Sequence, residues 1–147
     1  MRKRASLSEY VKIRNGVPLG AQHSLRNMLH RSFGAGSFAK FWNYWNPIWG
    51  FYLSRLVMKP VKAFAPTWIA VLVTFVISGS LHDLAISLFY QNIYFLFTPW
   101  FGLIGLVVVF TEKFNISYAG YSWGVRALTN SFFIVSSFGI VHIAMVY

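Results

Sequence analysis

Cysteine is absent from the chain, and acidic residues are nearly so: Glu9, Asp83 and Glu112 are its only carboxylates. Without cysteine there is no disulfide, no thiol nucleophile, no palmitoylation site and no cysteine-based zinc site. Three scattered carboxylates give neither a paired-acid glycosidase nor a carboxylate-rich metal site, so no metal is expected. Charge of either sign is scarce, with 11% charged residues against roughly 25% in typical soluble domains.

What fills the chain instead is apolar and aromatic: of its 147 residues 56% are hydrophobic, and 20% are Phe, Trp or Tyr. A soluble fold of this size cannot hide so much apolar surface, and the composition predicts an all-α, integral membrane helical bundle. The cations are arranged asymmetrically, all but Lys113 and Arg126 lying before the first long apolar run. Under the positive-inside rule this places the basic N-terminus in the cytoplasm and makes the chain multi-pass. Basic segments also bind nucleic acid, but here they adjoin apolar spans and favour anionic lipid headgroups by roughly 1 kcal/mol each. Membrane lipids are the expected partner, and nucleic acid is not.

Residues 1–36 form a basic arm with no apolar run directly after its charged start, so no cleaved signal peptide is expected. Leu7, Tyr10, Val11 and then Leu25, Met28, Leu29 recur at helical spacing. They read either as short interfacial helices on the membrane surface or as a disordered basic tail. Gly34–Ser37 reads as a flexible break, after which residues 37–147 form the membrane-embedded core.

Dense aromatics from Phe38 to Tyr52 suit the headgroup level, and Asn46 before Pro47 marks a bend or helix boundary. Three transmembrane helices follow, about 67–88, 93–110 and 128–147, each near the roughly 20 residues that a hydrocarbon core requires. The second is expected to bend near Pro99, because proline removes a backbone hydrogen bond. Short connections make neighbours antiparallel, with the turn near Gln91 outward and the loop 111–127 inward.

His82 and Asp83 lie inside the first span, where ionisable groups are costly. They either satisfy polar groups between packed helices or carry chemistry. Ser78 and His82 share a face at spacing four, with Gly79 thinning the helix beside them and Asp83 about 100° round it. Histidine is a common general base near neutral pH. His142, in the third span, has no such polar company and reads as a packing residue. Asn46, in the stretch FWNYWNP, is the other candidate, because an amide donates and accepts at once.

Taken together, Phe41, Trp42, Trp45 and Asn46, then Arg55, Lys59 and Pro60, then Ser78, His82 and Asp83 of SGSLHD resemble the signature of the membrane-bound O-acyltransferase family. The resemblance covers residues 38–90 and is closest to the diacylglycerol, sterol and wax acyltransferase branches. It implies transfer of an acyl group from a thioester donor, acyl-CoA above all, to a hydroxyl acceptor, with no further cofactor. By resemblance His82 is the general base and Asn46 assists it. Trp42, Trp45 and Ser78 line the substrate path, while Arg55 and Lys59 are assigned to the donor's phosphates on their charge alone. Family members carry many more spans ahead of this region. The shorter wall here implies a homo-oligomer or a partner membrane subunit, a fragment or an inactive relative, and leaves a non-catalytic membrane scaffold as the alternative.

Overall fold

A computed structural model describes residues 5–147, and within them every regular element is helical. Four short helices come first: α1 (Leu7–Asn15), α2 (Ser24–Phe33), α3 (Phe38–Tyr44) and α4 (Pro47–Leu53). A π-helical turn at Ser54–Met58 joins α4 to α5 (Lys59–Lys62). Three long helices complete the chain: α6 (Thr67–Tyr90), α7 (Phe97–Lys113) and α8 (Trp123–Val146).

Local chemistry accounts for the short helices. Ser6 and Glu9 form a reciprocal capping box at the start of α1, and Gly16 closes it with φ 78°. The Ser37 side chain caps α3. Asn46 caps α4 from a left-handed conformation and Pro47 occupies its first position, so the boundary expected at Asn46–Pro47 is present.

Two helices, α6 and α8, are long and apolar enough to cross a membrane. At 24 residues each they reach about 36 Å, while α7 with 17 reaches about 25 Å. Large apolar side chains face outward from them, including Leu88, Phe89, Leu128, Phe132 and Ile143. The observed helices differ from the expected spans at their ends. The second starts at Phe97 instead of residue 93, and the third starts at Trp123 instead of 128.

Pro99 does not bend α7. It falls in the first helical turn, where the N–H it lacks would have had no ladder partner. The other donors of that turn are accounted for by one side chain. Asp83 of α6 accepts from the backbone N–H of Leu96 (2.9 Å), Phe97 (2.8 Å) and Thr98 (2.7 Å), and from the Thr98 hydroxyl (2.6 Å). Trp100 N–H then begins the ladder to Leu96. Gly79 permits this approach, since a Cβ there would stand 2.5 Å from the Phe97 carbonyl oxygen.

The tightest apolar packing, around Phe38, Phe41, Ile104 and Val108, lies where α3 meets α7 and α8. Gly34–Ser37, read as a flexible break, is instead a tied junction. Asn130 Nδ2 of α8 donates to the Phe33 and Ala35 carbonyls (2.9 and 3.0 Å), and Tyr118 N–H donates to Gly36 (2.9 Å). Residues 5–36 are folded onto the remainder. The Tyr10 and Phe51 rings meet edge to face at 5.5 Å, and Trp123 Nε1 donates to the His30 carbonyl at 3.1 Å.

Asp83→Ala should strand the first turn of α7 and lower stability by about 2–4 kcal/mol, with Asp83→Asn intermediate. Thermal unfolding of the purified variants in detergent checks this. Melting temperatures equal to the parent's would show that the cap carries no weight.

The Tyr118 hydroxyl donates to Asn130 Oδ1 inside the junction, and burial pushes its pKa from 10.0 up to about 12. Below the unfolded value both states hold the proton and its contribution is fully present. As pH rises from 10.0 towards about 12 the unfolded chain deprotonates first, and stability is lost. The stability gap between the parent and Tyr118→Phe should therefore narrow over that interval in denaturant titrations. A gap independent of pH would contradict it.

Candidate active site

A cavity of about 370 Å³ runs between α3, α4, the π turn, α6 and α7, with α1 contributing at one side. On α6 the lining residues Thr67, Val71, Thr74, Phe75, Ser78 and His82 share one helical face. The rise from Thr67 to His82 makes that face about 22 Å long. The opposite wall carries Asn46, Trp49, Gly50, Leu53, Ser54 and Met58. The π turn brings Ser54 and Met58 onto it, with Met58 Sδ 3.6 Å from the Thr74 hydroxyl oxygen, whose hydrogen goes to the Ala70 carbonyl at 2.6 Å. Such turns are frequent at functional sites, because one inserted residue re-aims the side chains that follow.

His82 is half-buried in this wall. Its Nδ1 lies 2.7 Å from the Ser78 carbonyl oxygen, an acceptor only, so in the neutral ring Nδ1 carries the hydrogen and Nε2 is the acceptor nitrogen. Three rings hold the imidazole: Phe97 stacked at 5.6 Å, Phe101 tilted at 5.1 Å and Trp49 edge-on at 6.1 Å. Trp49 Nε1 donates to Ser78 Oγ at 2.9 Å, tying α4 to the residue whose carbonyl orients the histidine.

Asn46 reaches the same cavity from the N-terminus of α4. Its Oδ1 accepts from Trp49 N–H at 3.2 Å as the helix cap, which leaves the amide NH₂ as its available group. Its φ of 39° is a left-handed conformation, in which asparagine is several-fold enriched among non-glycine residues. Trp42 and Trp45 also line the cavity, and the Trp42 indole packs between Phe38, Phe41 and Phe75.

Of the residues singled out from sequence, His82, Asn46, Trp42, Trp45 and Ser78 thus border one space. Arg55 and Lys59 are not among its lining. Arg55 lies over the Phe51 ring at 4.2 Å and donates to the Ala5 carbonyl, and Lys59 is exposed on α5. His142 is exposed on α8, stacked on Phe138 at 5.9 Å.

Sequence reasoning passed over Trp49, Phe101 and Arg14. Trp49 stands three residues after the Asn46 cap, so its place in the same helical turn was open to inference. Arg14 reaches the cavity only through tertiary folding of α1. Its Nη1 donates to both the Asn43 carbonyl (2.9 Å) and Asn43 Oδ1 (2.8 Å). Burial raises the pKa of neighbouring Tyr10, against the pull of the Arg14 charge. No protein-family model, curated protein or solved structure matches this chain.

Proposed function

We propose that the chain is the core of a multi-pass membrane O-acyltransferase, moving an acyl group from a thioester donor such as acyl-CoA to a hydroxyl acceptor. Its single strongest support is the joint exposure of His82 and Asn46 to one cavity, with the histidine ring fixed through Nδ1. On this reading α6, α7 and α8 all cross the bilayer. The shorter α7 adapts by local thinning and by its terminal Lys113 reaching the headgroups. The basic arm lies on the cytoplasmic face, where anionic lipids attract it.

His82 Nε2 takes the acceptor's hydroxyl proton as the oxygen attacks the thioester carbon. The carbon–sulfur bond then breaks, and the imidazolium returns the proton to the departing thiolate. The Asn46 amide hydrogens face the same cavity and stabilise negative charge developing on the carbonyl oxygen. The aromatic wall excludes water that would otherwise compete as acceptor.

A non-catalytic membrane scaffold is favoured by a different observation: several of these polar groups already serve the fold. Asn46 Oδ1 caps α4, Ser78 Oγ accepts from Trp49, and Asp83 caps α7. The two readings separate on one residue. His82→Ala should lower acyl transfer by about a hundredfold or more while preserving membrane insertion and melting temperature. Asn46→Ala should lower it less and also cost about 1 kcal/mol through its lost cap. Mass spectrometry of products formed by purified protein with acyl-CoA and a panel of alcohols reads this. Turnover unchanged in His82→Ala would remove the assigned role, and a melting temperature that falls with no transfer by the parent would favour the scaffold.

A further inference from the structure

Arg14 is the one guanidinium lining the His82 cavity among the described residues, and the groups that hold it, Tyr10 and Asn43, are neutral. Its plane lies 4.3 Å above the Tyr10 ring, and Nη1 is fixed by the two oxygens of Asn43. Of the three carboxylates, Glu9 is spent on the Ser6 cap and Asp83 on α7. Glu112 lines the same cavity but makes no hydrogen bond to Arg14. A half-buried guanidinium with one nitrogen anchored keeps Nε and Nη2 for a planar or tetrahedral anion, which it recognises with paired, charge-assisted hydrogen bonds. Next to it the cavity continues along an apolar and aromatic wall through Trp45, Val71 and Phe75.

We infer that this cavity binds a single-chain amphiphile with an anionic headgroup, phosphate or carboxylate. Arg14 holds the headgroup and the alkyl chain lies along the α6 face. The basic arm is then part of the binding site as well as a contact for the membrane surface. The assignment also moves the anion contact from Arg55 and Lys59, which lie outside the cavity, to α1. It concerns binding alone, so ligand capture without turnover would sustain it and leave the acyl-transfer reading to its own test.

The experiment places purified chain in nanodiscs of zwitterionic phosphatidylcholine and titrates dodecyl phosphate, dodecanoate and dodecanol, following tryptophan fluorescence. Inorganic phosphate alone forms a further arm. The parent should bind the two anionic ligands about tenfold or more tighter than dodecanol. Inorganic phosphate should bind weakly, which distinguishes an amphiphile site from a free-phosphate site. Arg14→Gln should remove the preference while dodecanol binding persists, which also reports that the cavity is intact, and Arg55→Gln should leave it unchanged. Equal affinity of the parent for dodecanol and dodecyl phosphate would overturn the inference without recourse to any variant. So would a preference that survives Arg14→Gln, or tight binding of inorganic phosphate alone.

Discussion

Asp83 reaches from α6 to the start of α7 and accepts every backbone N–H that the first turn of that helix cannot satisfy for itself. The accounting is complete because Pro99, the next residue, has no N–H to place. Where water is scarce an unsatisfied backbone group costs several kcal/mol, so this one carboxylate fixes where α7 begins and how it meets α6. Gly79, a turn earlier, lets the two backbones close to contact. Phe97 and Phe101 are thereby set against the His82 ring, and the cavity acquires its second long wall.

The same economy governs the rest of the molecule. An apolar chain has few polar groups, and among those buried here Ser78, Asp83, Asn130 and Ser137 join segments distant in sequence. Asn130 secures the α2–α3 junction, Trp49 secures α4 on Ser78, and Trp100 Nε1 donates to Ser137 Oγ across α7 and α8 at 3.1 Å. His82 differs from these in lining the cavity while only its Nδ1 is engaged by the fold.

Much of this was legible in the amino-acid order, and the remainder failed for identifiable reasons. The long apolar run around residues 67–88 declared α6, and the Asn46–Pro47 pair declared a helix start, because both signals are local. Pro99 misled because proline breaks a helix interior but suits a first turn, and the choice between them depends on where the helix begins, which Asp83 decides from thirteen residues away. Gly34–Ser37 looked flexible for want of side chains, yet Asn130 and Tyr118 immobilise it from the other end of the chain. His82 and Ser78 stand out by polarity within an apolar span and by helical spacing, and Asn46 by its place before Pro47, whereas Arg14 carries no local mark. Arg55 and Lys59 were chosen by charge alone, and charge does not say which way a side chain turns.

The docking of α7 onto α6 can be read directly, because the absence of native cysteine makes an introduced pair unambiguous. The Thr98 hydroxyl oxygen lies 3.2 Å from Ser80 Oγ beside the Asp83 cap. In the double variant Ser80→Cys, Thr98→Cys, oxidation in native membranes should give an intramolecular disulfide in high yield, detected by mass spectrometry of the peptides. Both thiols remaining open to alkylation after the oxidant has been applied would contradict the arrangement on which the cavity is built.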